Sequence, residues 1–231
     1  MSTRKYYDIP IKTLEKLPDE FTPTTLIHTG EDTAIYATQF GKHALKLTDM
    51  SYVSTFRAAV LENSNYLTLA QRLPLGIIPV YYDGFVLEER FAIVMELIPG
   101  TSLDQLTHMT TDIFLLLAKW IFWALNHIHS EDVVHRDIIA QNILYDETRN
   151  QFRFVDLKKM FPTAGLHAEF EKGVDFKKED VKDASDMLLA LQNRIVSDKQ
   201  ELLDRICDIL ENGIKPFRPN ASQMYESLVD L

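Results

Sequence analysis

The chain has little that would mark it as a secreted or membrane-spanning protein. Its 231 residues include one cysteine, Cys207, which excludes an internal disulfide and is compatible with a reducing, cytoplasmic setting. The first residues are polar and aromatic, so we expect no cleaved secretory signal. The most apolar window, residues 113–128, contains Lys119 and Asn126 and is too short to cross a bilayer. We therefore expect this window to form a buried helix, and we expect no membrane as a partner.

Basic residues are also scarce. The chain has 24 Lys and Arg against 34 Asp and Glu, a formal net charge of −10 and a pI near 5.2. Proteins that bind nucleic acids or anionic membranes carry clustered cations, so neither is expected as a partner. An acidic surface instead suits a basic protein partner. With 46% hydrophobic and 25% charged residues, the chain has an ordinary globular composition and the length for one large domain or two small lobes.

Hydrophobic periodicity predicts strands early in the chain and helices later. Residues 1–23 carry three prolines and predict an irregular N-terminal extension, and residues 25–48 predict short strands broken by Gly30 and Gly41. A helix is predicted over residues 53–71, with Tyr66 in the core, and a hairpin over 77–87 and 91–97. Further helices are predicted over residues 111–130, 181–191, 200–210 and 222–228, and Cys207 falls in an apolar helical pattern.

One polar cluster interrupts the apolar runs. The sequence His135-Arg136-Asp137 follows two valines, Asn142 comes five residues after Asp137, and Asp156 comes nineteen after it. Asp137 is a candidate to orient or deprotonate a hydroxyl, and Asn142 and Asp156 offer the hard oxygen ligands that Mg²⁺ prefers. These groups together suit phosphoryl transfer.

The spacing of these residues resembles the catalytic loop of protein kinases, and Asp156-Leu157-Lys158 stands where that family has Asp-Phe-Gly. The resemblance covers about residues 24–231. It implies an α+β, two-lobed fold, with a small antiparallel-sheet N-lobe over 24–97 and a mainly helical, shortened C-lobe over 98–231. Residues 1–23 would precede this single kinase-like domain.

The same resemblance assigns roles to residues of the N-lobe. Lys46, in an apolar strand-like run, would hold the α- and β-phosphates of ATP, and Glu62 on the following helix would pair with it. Gly30 is the one glycine kept from the loop that covers the phosphates. Asn142 and Asp156 would bind Mg²⁺, with Mn²⁺ as a possible substitute, and Asp156 would thereby also contact the nucleotide.

The adenine site rests on alignment alone. By resemblance, Met95 would guard the rear of the pocket and the main chain of Glu96 and Ile98 would bond the adenine edge. Ser102 would lie near the ribose.

Several positions depart from the family. Glu31 and Asp32 put negative charge beside Gly30, where phosphates would lie. The positions where kinases carry a cation for the γ-phosphate are Ile139 and Gln141. Lys158 or Lys159 could supply that cation, with solvated loop lysines as the alternative.

The C-lobe is short. Asp180, 24 residues after Asp156, is the best match to a buried helix aspartate of the family, and no Ala-Pro-Glu motif lies between them. Phe217-Arg218-Pro219 resembles the start of the last kinase helix, although Arg218 is expected to lack its usual glutamate partner. A peptide groove of the usual kind is therefore in doubt.

The leading interpretation is an ATP- and Mg²⁺-dependent protein kinase that acts on a protein hydroxyl, with serine or threonine favoured over tyrosine. The alternative is a pseudokinase that docks a partner without transferring phosphate; phosphorylation of a small molecule is a third reading. Small kinases with reduced lower lobes resemble those that pathogens use inside host cells. An effector role in a host cytosol is an extension of the kinase interpretation, beside an ordinary cytoplasmic location.

Overall fold

The computed structural model describes residues 12–163 and 174–231, and these form two compact units. The first unit comprises the described residues up to Pro99 together with Val155–Lys159. The second comprises Gly100–Phe154 and the described residues from Met160 onward. The first has an antiparallel sheet and the second is mainly helical, which confirms the expected fold class. The inclusion of Val155–Lys159 in the first unit was not anticipated.

A six-stranded sheet in the order β1-β5-β6-β4-β3-β2 forms the first unit. All neighbours are antiparallel except β1, which pairs in parallel with β5. The helix α1 is the one predicted, two residues shorter. The bounds are β1 Lys12–Leu14, β2 Pro23–Thr29, β3 Thr33–Thr38, β4 His43–Asp49, α1 Val53–Leu69, β5 Tyr81–Leu87 and β6 Arg90–Glu96.

The described part of the N-terminal extension is not irregular, which corrects the prediction for residues 12–22. Strand β1 adds to the edge of the sheet, and a single helical turn, Asp19–Phe21, follows it. Two of the three prolines lie at element boundaries: Pro18 precedes the turn and Pro23 begins β2, so neither interrupts a hydrogen-bond ladder. Residues 1–11 lie outside the described residues.

Phe21 anchors this segment in the core. Its ring is 8% exposed and packs in a cluster with Leu45, Leu47, Phe85, Ala92 and Val94. The segment therefore belongs to the first unit instead of preceding it.

The helix α2, Thr111–Ser130, is the centre of the second unit, and one face of it is fully buried at three- and four-residue spacing, with Phe114, Leu117, Ile121, Leu125 and Ile128 on that face. It begins at the Thr110 cap, whose hydroxyl accepts a hydrogen bond from the Ile113 amide. The other helices are α3 Phe176–Leu191, α4 Gln200–Ile214 and α5 Ala221–Val229. The short strands are β7 Thr101–Ser102, β8 Met109–Thr110, β9 Val133–Val134, β10 Ile143–Asp146, β11 Gln151–Phe154, β12 Phe161–Pro162 and β13 Ile195–Val196.

All four predicted helices of this unit are present, and α3 starts five residues earlier than predicted. Cys207 is buried in α4, as expected. None of the described helices is both long enough and apolar enough to cross a membrane.

The sequence has no Ala-Pro-Glu motif to give Arg218 its usual glutamate partner, and Arg218 pairs with a different glutamate instead. Its guanidinium pairs with the Glu179 carboxylate on α3, and its Nε donates to the Lys178 carbonyl at 2.8 Å. Glu179 lies on α3, 39 residues before Arg218, and nothing in the sequence between them indicated this pair.

Replacing Phe21 with alanine tests the place of the N-terminal segment. We expect Phe21→Ala to lower the free energy of unfolding by about 3–5 kcal/mol, because it empties a buried aromatic site. The matched control is Phe40→Ala, since Phe40 is 63% exposed and its loss should cost less than about 0.5 kcal/mol. Denaturant unfolding measures both; equal effects would contradict the assignment of this segment to the core.

Candidate functional site

A buried lysine is the first part of the site. Lys46 lies on β4, a central strand between β3 and β6, and is 6% exposed. Its Nζ lies 2.7 Å from both carboxylate oxygens of Glu62 on α1 and 3.0 Å from Oδ1 of Asp156. A buried charge is costly unless it is paired and hydrogen-bonded, and here two carboxylates meet that condition. The structure brings these three predicted residues together within the first unit.

The electrostatics of this cluster favour the charged forms of Lys46 and Asp156, while burial raises the pKa of Glu62. Burial lowers the pKa of Lys46, but the Glu62 and Asp156 carboxylates outweigh burial and raise that pKa above its ordinary value. Burial raises the pKa of Asp156, but the ammonium groups of Lys46 and Lys158 outweigh it and hold the pKa below the usual range. Asp156 is therefore ionised at neutral pH and available to a cation.

The turn that carries Asp156 is fixed from α1. Asp156 has a φ of +62°, and Leu157 after it is fully buried. The side-chain amide of Asn65 donates to the Leu157 carbonyl at 2.7 Å. Lys158, in place of the family's glycine, extends back so that its Nζ lies 2.8 Å from Oδ2 of Asp156. Of the two lysines considered for the missing cation, Lys158 is the one paired with Asp156.

Tyr66 lies behind this cluster, as predicted. Its ring is fully buried on α1, one turn after Glu62. Burial, reinforced by the charges of Glu62 and Asp156, raises the pKa of Tyr66 well above its usual value, so the phenol stays neutral.

The second part of the site is the loop between β9 and β10 in the second unit. Asn142 donates from Nδ2 to the main-chain carbonyl of Asp137 at 3.1 Å and to its Oδ2 at 3.0 Å. The amide thereby fixes the orientation of the Asp137 carboxylate. Because Nδ2 is used in this way, Oδ1 of Asn142 is the atom left to act as a ligand.

Asp180 holds the chain just before Asp137. Its Oδ2 accepts from the His135 amide at 2.7 Å and its Oδ1 from the Arg136 amide at 2.8 Å. A third contact joins Oδ2 to Nε2 of His129 at 2.9 Å. These bonds account for the left-handed backbone of Arg136, φ +63°, which costs energy unless its surroundings impose it. Asp180 is 1% exposed on α3, which bears out the predicted buried helix aspartate.

Two buried histidines lie next to this loop. His129 is part of the Asp180 cluster, and His135 is fully buried with its ring 4.5 Å from that of Phe154. In the described parts of the chain, no group of three or more His, Cys, Asp or Glu side chains could hold a metal ion.

Taken one unit at a time, Asp156 and Asn142 each offer an oxygen donor of the kind that Mg²⁺ binds. This ion usually takes one or two protein ligands and completes its octahedron with phosphate oxygens and water. The ionised Asp156 carboxylate and Asn142 Oδ1 are donors of that kind. Asp156 belongs to the first unit and Asn142 to the second.

The residues expected to bind the nucleotide lie in both units. Gly30 begins the turn between β2 and β3, where its amide donates to the Thr33 carbonyl at 2.7 Å, and an added Cβ would find no atom closer than 3.8 Å. Its φ lies outside the left-handed region, so this backbone does not itself require glycine. Glu31 after it is exposed and Asp32 half-buried.

The predicted adenine-binding residues follow one another at the end of the sheet. Met95 is buried on β6, and the Glu96 amide donates to the Val80 carbonyl at 2.8 Å. The Ile98 amide donates to no acceptor among the described residues. Ser102 lies in the second unit, on β7, opposite Leu144 of β10.

An open groove of about 480 Å³ runs beside Asp137 within the second unit, and the sequence interpretation missed its acidic wall. Asp183 and Asp186 of α3 form that wall, and burial, with Asp180 nearby, raises the pKa of Asp183. The three-residue spacing of Asp180, Asp183 and Asp186 was a usable signal, since it places the three on adjacent turns of one helix. The lining comprises Arg136, Asp137, Ile138, Ile139, Ala140, Asp183, Asp186 and Met187.

Comparison with known proteins points to one family. The profile of the protein kinase domain matches residues 43–161, just over half of the chain. The serine/threonine-protein kinase PKH3 of Saccharomyces cerevisiae is 33% identical over 109 residues, and the MAP kinase kinase kinase wis4 of Schizosaccharomyces pombe is 32% identical over 117. These alignments cover 46% and 49% of this chain but 11% and 8% of the two relatives. The meiosis-specific serine/threonine-protein kinase MEK1 of Saccharomyces cerevisiae is 39% identical over 76 residues, 30% of this chain and 15% of that protein.

Removal of Asp180 tests the support of the loop. We expect Asp180→Ala to destabilise the protein by about 3–5 kcal/mol, because it leaves the His135 and Arg136 amides and His129 without their acceptor. The control is Asp186→Ala on the same helix, which removes only an exposed pair with Lys182 and should cost less than about 1 kcal/mol. Chemical denaturation compares the two, and an Asp180→Ala protein as stable as the control would refute this role.

Proposed function

Because this chain belongs to the protein kinase family, we propose that it is an ATP- and Mg²⁺-dependent protein kinase. It would transfer the γ-phosphate to a protein hydroxyl, with serine or threonine favoured over tyrosine. The observation that carries the proposal is the retention of both polar clusters: Lys46 with Glu62 and Asp156, and Asp137 with Asn142. A scaffold alone has no chemical need for all five groups.

In this proposal the first unit binds the nucleotide. Lys46 holds the α- and β-phosphates, and Glu62 fixes the direction of its ammonium through two short hydrogen bonds. Gly30 lies in the turn over the phosphates, Met95 closes the rear of the adenine site, and the main chain of Glu96 and Ile98 bonds the adenine edge. The Ile98 amide suits this role because no described residue accepts its proton. Ser102, in the second unit, is assigned to the ribose.

The second unit acts on the acceptor. Asp137 accepts the hydroxyl proton or orients the hydroxyl for attack, and Asn142 keeps one of its carboxylate oxygens in a fixed direction. Asn142 Oδ1 and the Asp156 carboxylate are the proposed metal ligands. When bound, Mg²⁺, or Mn²⁺ in its place, neutralises the charge that develops on the phosphate oxygens.

A labelled γ-phosphate assay separates the roles of Asp137 and Asp156. We expect Asp137→Ala to lower transfer by about 10²–10⁴-fold, the usual contribution of a positioned acid or base, while ATP still binds. Asp156→Ala should lower transfer and weaken metal-dependent ATP binding as well. Calorimetric titration with ATP reports binding, and Asp198→Ala, a change of an exposed carboxylate, is the control that should keep both properties.

A pseudokinase that docks a partner without transferring phosphate is the second candidate. It is favoured by the pair between Lys158 and Asp156 and by the acidic residues Glu31 and Asp32 beside the phosphate turn. Binding of ATP by the wild-type protein without transfer to any protein acceptor, in Mg²⁺ or Mn²⁺, would select this candidate. Transfer that disappears in Asp137→Ala would reject it.

The acceptor is proposed to carry basic residues near the reacting hydroxyl. The groove beside Asp137 presents Asp183 and Asp186, and the chain has a net charge of −10. Asp183 has a raised pKa, so a substrate cation placed beside it would relieve the electrostatic cost of ionising it. A cytoplasmic location, in a host cell if the protein is a translocated effector, stays a prediction.

Peptide kinetics test this preference. With Asp183→Asn and Asp186→Asn together, we expect the KM for a Lys/Arg-rich serine peptide to rise about tenfold, with kcat changed far less. The reason is that these groups would bind the ground state and the transition state equally. A neutral peptide of the same length is the control, and its KM should change little in the double variant. An unchanged ratio of kcat/KM between the two peptides would contradict the basic preference.

A further inference from the structure

Each oxygen of the Asp156 carboxylate has its own ammonium group. Oδ1 lies 3.0 Å from Lys46 Nζ, and Oδ2 lies 2.8 Å from Lys158 Nζ. Lys46 occupies the family's usual position, whereas Lys158 stands in place of a glycine that has no side chain. The second ammonium is thus a feature of this chain's own sequence, and it occupies an oxygen that a divalent metal would use.

The two lysines are held very differently. The side chain of Lys46 is 7% exposed and is fixed by both oxygens of Glu62 as well as by Asp156. The side chain of Lys158 is 43% exposed, and Asp156 is its one ion-pair partner among the described residues. An exposed lysine exchanges a carboxylate for water at little cost. Lys158 is therefore the ammonium that can leave Asp156, and Lys46 is the one that stays.

The backbone of Lys158 does not move with its ammonium. Leu157 is fully buried, and its carbonyl is held by Asn65 on α1 at 2.7 Å. The lysine stem therefore starts from an anchored turn next to Asp156, which keeps its ammonium within reach of Oδ2. A tethered cation of this kind competes with any free cation for that oxygen.

We propose that Lys158 is a built-in competitor for the divalent metal, and that a metal ion binds Asp156 only by displacing the Lys158 ammonium from Oδ2. This inference rests on the metal-binding role proposed above for Asp156. Its consequence is that a higher concentration of metal ion is needed to occupy Asp156, because the Lys158 ammonium neutralises this carboxylate when metal is scarce. Once displaced, the Lys158 ammonium is free for other anionic groups, such as phosphate oxygens.

Mn²⁺ binding to the nucleotide-free full chain tests the proposal, with electron paramagnetic resonance counting the free ion. We expect Lys158→Ala to bind Mn²⁺ about tenfold more tightly than the wild type, because it removes both the competitor and a nearby positive charge. Lys159→Ala makes the same change in net charge one residue further on and should stay within about twofold of the wild type. Lys158→Arg, which keeps a cation at this position, should not reproduce the gain.

A double-mutant cycle assigns the gain to Asp156. In the Asp156→Asn background, Lys158→Ala should add nothing, since the contested ligand is gone. The proposal is overturned if Lys158→Ala binds Mn²⁺ no more tightly than the wild type, if Lys159→Ala gains as much, or if the gain persists without Asp156. Thermal unfolding of each variant verifies that the fold is intact.

This measurement involves no phosphate transfer, so it fails independently of the proposed function. A protein that shows the Lys158 effect but transfers no phosphate keeps this inference and loses the kinase proposal. If the protein transfers phosphate but Lys158→Ala does not tighten Mn²⁺ binding, the kinase proposal stands and this inference is rejected.

Discussion

The buried ammonium of Lys46 is the interaction on which the first unit depends. A charge with so little exposure requires partners, and its partners come from two separate segments: Glu62 from α1 and Asp156 from Val155–Lys159. Pairing the Lys46 ammonium therefore fixes α1 against the sheet. It also places the five residues Val155–Lys159 in the first unit, although their neighbours in the sequence belong to the second. The same constraint gives Asp156 its ionised carboxylate, because the pKa of Asp156 is set by the cations around it.

Asp180 has the corresponding place in the second unit. One buried carboxylate accepts from two successive amides and from a histidine, and this holds Arg136 in a backbone conformation it would not otherwise adopt. This backbone conformation sets the position of Asp137, the next residue, whose side chain accepts a hydrogen bond from Asn142. In both units a buried charge organises the backbone, and a partly exposed carboxylate beside it is left for chemistry.

The sequence predicted those parts of the site that depend on fixed spacing. Lys46 and Glu62 were expected to pair, and the structure joins them. Asp137 and Asn142 were predicted from their spacing in one motif, and the structure adds a hydrogen bond between their side chains. The bounds of α2 were also predicted, because its apolar residues repeat at helical spacing throughout. Binding roles inferred from alignment, such as those of Met95 and Ser102, stay predictions.

What sequence reasoning missed depends on tertiary contacts without a local signal. Strand β1 forms because the edge of β5 is open to it and Phe21 fills the core, and neither condition is visible in residues 12–22. The partner of Arg218 is 39 residues away along the chain, and Lys158 pairs with Asp156 at a turn in which Asp156 has a positive φ. The acidic wall of the groove was missed although Asp183 and Asp186 lie within the helix predicted over residues 181–191, because only the packing of α3 decides which of its faces lines the groove.

Transfer of labelled γ-phosphate from ATP to a basic acceptor protein by the wild-type chain, followed over time in Mg²⁺ and in Mn²⁺, tests the central claim most directly. The account predicts incorporation that grows with time, requires the divalent ion and yields phosphoserine or phosphothreonine on acid hydrolysis. A folded protein that binds ATP but gives no incorporation with either ion would contradict it, and the two polar clusters would then serve nucleotide binding alone.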